Sequence, residues 1–108
     1  MYQVQNNKWS TLPIFEQMGN IASEVGRSFA AKYRNDDESC DSATMRAIDL
    51  FDATTEQLTI KHSPQLKEVL RSKEIYLDAI YNKELKKIDA DSIEKYFMQY
   101  AIAARLNK

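Results

Sequence analysis

Residues 12–34 read LPIFEQMGNIASEVGRSFAAKYR, and this stretch decides the fold. Its apolar side chains recur every three or four residues, which is the spacing of one face of an α-helix. A hydroxyl shortly before Pro13 is typical of a helix N-terminus, with the proline in the first turn. The stretch therefore predicts one amphipathic helix over residues 12–34. Its apolar face comprises Phe15, Met18, Ala22, Val25, Phe29 and Tyr33.

The same spacing predicts three further helices, over residues 37–57, 64–82 and 91–106. Acidic residues precede the second helix, Ser63-Pro64 begins the third, and Asp91-Ser92-Ile93-Glu94 has the pattern of a capping box for the fourth. A protein of many short strands needs more turn residues than the two glycines and two prolines found here. We therefore predict an all-α fold, an antiparallel up-down four-helix bundle. It forms a single domain over residues 1–108, with residues 1–8 frayed.

Composition excludes several classes of protein. The 15 Lys and Arg residues against 16 Asp and Glu give a net charge of -1, so no overall basic field attracts nucleic acid. One cysteine cannot form an internal disulfide. No apolar run approaches the roughly 18 residues of a membrane span, and the N-terminus lacks a signal-peptide core. We expect a cytoplasmic protein that does not bind a membrane.

Residues suited to catalysis or metal binding are few. His62 is the one histidine, and no Glu-x-x-His motif of a di-iron bundle occurs, so an exposed loop residue is the better interpretation. Cys40 lies in an acidic stretch, which favours a small core residue over a nucleophile. We therefore expect no metal, no cofactor and no enzymatic activity.

The two glycines, Gly19 and Gly26, both fall inside the first predicted helix, where each costs about 1 kcal/mol relative to alanine. They are seven residues apart and therefore share a face. One interpretation is that another helix packs closely along this seam, and the other is that a glycine kinks the helix or is merely tolerated. The candidate seam comprises Gly19, Ala22, Ser23, Gly26 and Ala30.

Charged residues recur at helical spacing, and several pairs stand three residues apart. Three interpretations stay open: solvated helix faces, a network between helices, or a ligand site. In a remote enzymatic variant of the third, the pairs at 24 and 27, 46 and 49, and 71 and 74 converge as acid, base and anion clamp. The candidate polar network comprises Asn20, Glu24, Arg27, Arg46, Asp49, Arg71, Glu74 and Arg105.

Aromatic residues suggest an interaction surface. Eleven Phe, Tyr and Trp residues exceed what one small interior readily hides, and tyrosine and tryptophan are enriched at protein interfaces. The candidate interface comprises Tyr76, Tyr81, Tyr96 and Tyr100, while Trp9 either joins such a surface or staples the start of the first helix. We expect a protein-interaction or assembly module that self-associates or binds a protein partner. The alternative is an accessory four-helix bundle that binds structured nucleic acid, through Lys83, Lys86, Lys87, Arg105 and Lys108, or a nucleic-acid enzyme.

Residues 9–27 carry the motif W-x-x-L-P-I…Q-x-x-N-I-x-S-E-V-x-R, and residues 95–107 read KYFMQYAIAARLN. Both motifs resemble those of a family of small, functionally uncharacterised prokaryotic helical-bundle proteins, and the resemblance covers nearly the whole chain. More distantly, the architecture is similar to four-helix-bundle proteins of ribosomal-RNA intervening sequences and accessory proteins of diversity-generating retroelements. Those relatives form basic oligomers that bind nucleic acid or a reverse transcriptase. The chain departs from them in its net charge, which disfavours nucleic acid as the partner.

Overall fold

The computed structural model describes the backbone of residues 6–106 and the side chains of residues 8–103 and 106. No strand occurs between residues 6 and 106, so the predicted all-α fold is confirmed. Four long helices follow one short helical turn. They are α1 (Asn6–Trp9), α2 (Ile14–Tyr33), α3 (Asp37–Ile60), α4 (Leu66–Ile80) and α5 (Lys87–Leu106).

Helix α2 makes the most extensive contacts, with α3 and with α5. Against α3, Gln17 bonds to Gln57 and Glu24 bonds to Arg46, so the paired residues run in opposite order along the two helices. Helix α4 packs mainly against α3. These contacts form a compact helical bundle, and the up-down order of its four long helices stays a prediction.

Helix α5 begins at Lys87, not at the predicted Asp91. The N–H groups of Asp89 and Ala90 donate to the Lys86 carbonyl, which closes the first turn. The earlier start places Ala90 in the core. Asp91 therefore does not cap the helix; its carboxylate lies 3.4 Å from the Lys87 ammonium, one turn earlier.

The other helix ends differ from their predicted positions by a few residues. Helix α3 continues past residue 57 because Leu58 is buried. Helix α4 starts after the Ser63-Pro64 pair, where the Gln65 N–H donates to the Ser63 hydroxyl at 3.2 Å. Helix α2 starts directly after Pro13, without a side-chain cap. The start signals Pro13 and Ser63-Pro64 are thus turn residues that precede α2 and α4.

Helices α2 and α3 end in the same type of turn. Asn35 and His62 have positive φ angles of 60° and 51°, the left-handed conformation that glycine usually adopts at this position. The closing bonds run from the Asp36 N–H to the Ala31 carbonyl (2.9 Å) and from the Ser63 N–H to the Leu58 carbonyl (3.0 Å). This pattern is the Schellman motif, built here without glycine.

Four aromatic rings form the centre of the core. The rings of Phe29, Phe51, Tyr76 and Phe97 contact one another with centroids 5.8–6.4 Å apart. The placement of Tyr76 at an exposed interface was wrong, since its side chain is fully buried. Burial is favourable because its hydroxyl lies 2.7 Å from the Ser28 hydroxyl and so keeps a hydrogen-bond partner.

A polar network ties the segment before α2 to both α2 and α3. The Trp9 indole N–H donates to the Thr54 hydroxyl at 2.9 Å, and that hydroxyl donates to the Gln17 amide oxygen at 2.9 Å. The Gln17 amide nitrogen lies 3.0 Å from the carbonyls of Trp9 and Leu12 and 2.9 Å from the Gln57 amide oxygen. Trp9 therefore does not join an exposed surface. It is a buried anchor whose indole bonds to α3 and whose carbonyl bonds to α2.

Residues 6–8, which are part of the segment expected to be frayed, belong to the helical turn α1. Helix α1 contacts α3, and the Thr11 hydroxyl donates to the Lys8 carbonyl at 2.6 Å just after it. Residues 1–5 lie outside the described residues.

Candidate functional site

The Glu24 carboxylate is the centre of an ionic cluster between α2 and α3. One of its oxygens accepts a bond from Arg27, one turn along α2, and the other accepts a bond from Arg46 on α3. The Glu24 side chain is only 8% exposed, against 34% for Arg46 and 64% for Arg27. A buried charge is costly unless it is paired, so the two guanidinium groups make this position tolerable. The cluster is a bridge between two helices.

The remaining members of the candidate polar network do not join this cluster. Arg71 and Glu74 form an exposed pair of their own on α4, 3.6 Å apart. Asn20 is exposed, and the Asp49 carboxylate has one buried oxygen without a hydrogen-bond partner among the described residues. The side chain of Arg105 lies outside the described residues. The convergence that an enzymatic site requires is therefore absent from residues 20–74 of this set.

The two glycines differ in how closely α5 approaches them. A Cβ atom at Gly19 would lie 3.3 Å from the Ala101 Cα, which is closer than nearly all such contacts in proteins. A Cβ atom at Gly26 would meet only a Glu94 carboxylate oxygen, at 3.9 Å. Close helix packing thus occurs at the Gly19 end of the seam, whereas Gly26 has ordinary space around it.

The small residues that extend the seam do not all face a helix. Ala22 is buried, whereas Ser23 and Ala30 are exposed. Near the open end, burial raises the pKa of the Glu94 carboxyl and the Asp91 carboxylate raises it further, while Lys87 lowers it. The seam is therefore a tight contact at one end and a polar, half-open contact at the other.

Tyrosines line the edge between α4 and α5. The Tyr100 hydroxyl donates to a Glu68 carboxylate oxygen at 2.6 Å, and the Tyr96 hydroxyl lies 3.3 Å from that of Tyr100. Burial raises the pKa of Tyr100 most, followed by its hydrogen bonds to Glu68 and Tyr96, so the phenol stays protonated and acts as a donor. Tyr81, at the end of α4, is exposed. Three of the four candidate interface tyrosines therefore reach the surface.

The outer face of α5 carries apolar side chains that sequence analysis did not single out. Ile88, Met98, Ile102 and Leu106 are between 50% and 78% exposed. An α-helix has 3.6 residues per turn, so these four positions lie in one stripe along one side of α5. The buried Phe97 lies on the opposite side. The four-residue spacing of Met98, Ile102 and Leu106 was the signal available in the sequence. Large apolar patches on soluble proteins often mark interaction sites.

The candidate nucleic-acid contacts lie mainly between α4 and α5. Lys83 and Lys86 are exposed, and Lys87 is paired with Asp91 in the first turns of α5. Lys108 lies outside the described residues. The described part of this set is a short basic segment next to acidic residues.

Metal and thiol chemistry find little support among the described residues. Between residues 6 and 106, no group of three His, Cys, Asp or Glu side chains is arranged to hold a metal ion. His62 is exposed in the turn after α3. Cys40 is half-buried, and burial raises the pKa of its thiol, with the Thr44 hydrogen bond opposing that shift. A thiol with a raised pKa is a poor nucleophile at neutral pH.

A shallow pocket of about 300 Å³ lies beside the Trp9 anchor, bounded by Ala53, Gln57 and Ile60. Its surroundings include Glu56 and Lys61 but none of the ionic cluster.

No helix within residues 6–106 has the length and apolar character needed to cross a bilayer. No protein-family model, no curated protein and no solved structure gives a significant match to the chain.

Proposed function

We propose that the chain is a non-catalytic protein-interaction or assembly module that acts in the cytoplasm and self-associates or binds a protein partner. Its contact surface is the outer face of α5, flanked by the Tyr96–Tyr100 edge. The observation that carries the proposal is the exposed apolar stripe, in which four large side chains lie at least half exposed. Full burial of such a side chain is worth about 1.5–3 kcal/mol, and covering the exposed half to three quarters of each gains that share of it.

The tyrosine edge supports the same proposal. Tyrosine presents a large apolar ring with few rotatable bonds, and its hydroxyl bonds at the rim of an interface. Tyr96 and Tyr100 are held in place by each other and by Glu68, so a partner meets an ordered surface. A surface that is already ordered loses less conformational entropy on binding.

The absence of catalytic action is part of this proposal and is supported by the placement of the ionisable groups. Glu24 is neutralised by two arginines, and the Arg71–Glu74 pair lies separately on another helix. Perturbed groups gathered in one cleft mark an active site. Here two of the groups with raised pKa values, Glu94 and Tyr100, lie on different sides of α5, one toward Gly26 and the other toward Glu68. A third, Cys40, lies on α3.

A photo-crosslinking amino acid placed at position 98 tests the proposal in the cells that naturally produce the protein. We expect ultraviolet light to yield a discrete protein adduct from position 98. The matched control is position 38 on α3, which is exposed and has only polar residues three and four positions away, and should yield none. An equal absence of protein adducts at both positions contradicts the proposal.

The alternative, an accessory protein that binds structured nucleic acid, rests on the exposed Lys83 and Lys86 and on the distant family resemblance. Phosphate contacts weaken steeply with added salt. Size-exclusion chromatography with light scattering and a 260/280 nm absorbance ratio separates the two functions. Nucleic acid that co-elutes at low salt and dissociates at high salt supports the alternative, whereas a defined oligomer with a pure-protein ratio supports assembly.

A further inference from the structure

The outer face of α5 has an order of residue types that is complementary to itself. Along the stripe, Ile88, Asp91, Lys95 and Met98 follow one another at spacings of three, four and three residues. All four are exposed, so none of them is used to hold the bundle together. The order apolar, acidic, basic, apolar becomes apolar, basic, acidic, apolar when it is read from the other end.

This order fits a second copy of the same helix in the antiparallel direction. When a two-fold axis passes between Asp91 and Lys95, Asp91 faces the partner's Lys95, and symmetry repeats that pair. The same axis brings Ile88 opposite the partner's Met98. A parallel arrangement with the same register would instead place each charge opposite its own kind, which is unfavourable. Contacts that repeat in this way are the property of a closed two-fold interface.

The local surface has room for such a partner. A shallow pocket of about 410 Å³ lies on this face and is bounded by the same four residues together with Ser92 and Glu94. Among the described side chains, those of residues 8–103 and 106, no ion pair involves Lys95, and Asp91 pairs only with the exposed Lys87, at 3.4 Å. Both central charges are therefore available to a partner, and the flanking apolar side chains gain from being covered.

We propose that a second copy of this chain docks antiparallel on the outer face of α5, with Asp91 and Lys95 of each copy paired across the two-fold axis. This inference rests on the proposed assembly function and names its partner. A stable interface buries about 800 Å² on each partner, and one helix face supplies less. The dimer is therefore reversible and depends on protein concentration.

Charge reversal on the purified full chain tests the pairing by sedimentation equilibrium. Asp91→Lys and Lys95→Asp each place like charges together twice in the dimer, and we expect either change to weaken dimerisation at least about tenfold. The double variant, Asp91→Lys with Lys95→Asp, restores opposite charges at both pairs. Its dimerisation should return to within about threefold of the original, because both pairs across the axis again join opposite charges.

Three controls keep the result interpretable. Asp78→Lys reverses an exposed charge on α4 and should leave dimerisation unchanged. Lys87→Ala removes the Lys87–Asp91 pair within one chain and should also leave the dimer intact. Circular dichroism confirms that each variant folds. Loss of dimerisation in the Asp78→Lys variant would show a general charge effect and would overturn the proposed pairing.

Failure of this inference is distinguishable from failure of the proposed function. A dimer that is insensitive to both single reversals overturns the α5 pairing while self-assembly stands. A protein that stays monomeric up to millimolar concentration also overturns it. In that case, a crosslink from position 98 to a protein other than a second copy of the chain, identified by the mass of the adduct, still supports an interaction module.

Discussion

Helix α2 is held to its two main neighbours in different ways. Toward α3 it presents Gln17 and Glu24, whose polar groups bond across the interface to Gln57 and Arg46. Toward α5 it presents Gly19, where the absence of a side chain lets the α5 backbone come close. The first interface is defined by matching donors and acceptors, and the second by the lack of volume at one position. Removing one hydrogen-bonding group from the α2–α3 interface therefore leaves its partner unpaired. Adding a side-chain atom at Gly19 forces the α2 and α5 backbones apart.

The largest expected effect comes from interrupting the α2–α3 interface at its neutral network. Gln17→Ala removes the acceptor of the Thr54 hydroxyl and the donor to the Leu12 carbonyl. The Trp9 carbonyl loses one of its two donors and keeps the Leu12 N–H. Each buried polar group left unpaired costs about 1–3 kcal/mol, so we expect a loss of about 3 kcal/mol in the free energy of unfolding. Urea denaturation measures this value.

The matched control for that change is Gln65→Ala. Gln65 is exposed at the start of α4 and its side chain makes no capping bond, so its loss should cost under about 0.5 kcal/mol. Equal costs for the two glutamines would show that the network around Gln17 contributes nothing beyond a surface residue.

The second-largest loss of stability is expected from the ionic cluster of the same interface. Glu24→Ala leaves Arg27 and Arg46 without their shared carboxylate, and we expect a loss of about 2 kcal/mol because Glu24 is buried and the arginines are partly solvated. In double-mutant cycles, the coupling of Glu24 to Arg46 should exceed its coupling to the more exposed Arg27. Glu74→Ala removes an exposed pair on α4 and should cost under about 1 kcal/mol. If Glu74→Ala lowered the free energy of unfolding more than Glu24→Ala, burial would not be what makes the Glu24 pairs important for stability.

The α2–α5 interface gives a comparison between its own two ends. Gly26→Ala should raise the free energy of unfolding by about 1 kcal/mol, because alanine favours the helix and the new Cβ meets only a movable carboxylate. Gly19→Ala should gain clearly less, because its Cβ must push the Ala101 backbone away. Thermal and chemical denaturation of both variants measure the difference. Equal gains at both glycines would mean that close packing at Gly19 imposes no restriction.

The smallest effect concerns the turns that end α2 and α3. His62→Gly should stabilise the protein by about 0.5 kcal/mol, because glycine adopts the positive φ there without the strain of a side chain. Asn35→Gly should gain less, since asparagine tolerates this conformation better than histidine. Lys61→Gly, at a φ of -82°, should instead destabilise. A stabilising Lys61→Gly would show that the positive φ is not the cause.

The periodic features of the molecule were predictable from the sequence, because helix faces repeat at fixed spacing. The stripe in residues 12–34 predicts α2 closely, and the sequence spacing of Glu24 and Arg27 predicts their pairing within one helix. The Glu24–Arg46 bond was only one of three interpretations, since the sequence does not specify which faces of two helices meet.

Contacts between distant residues were the part that sequence reasoning missed. Nothing in the spacing of Trp9, Gln17 and Thr54 indicates a shared network, because their proximity depends on how α1, α2 and α3 pack. Tyr76 was misplaced for a related reason: a tyrosine is expected at the surface unless a buried partner such as Ser28 is known. The start of α5 moved to Lys87 because the burial of Ala90 outweighed the local capping pattern at Asp91.

The Trp9 anchor makes the protein's intrinsic fluorescence a local reporter. Trp9 is the only tryptophan in the chain, and its indole is buried with its N–H bonded to Thr54. Emission near 350 nm therefore signals release of the segment before α2, whereas circular dichroism reports all the helices together. If that segment detaches before the bundle melts, the fluorescence transition precedes the ellipticity transition, and the docking of one helical turn is measured separately from global unfolding.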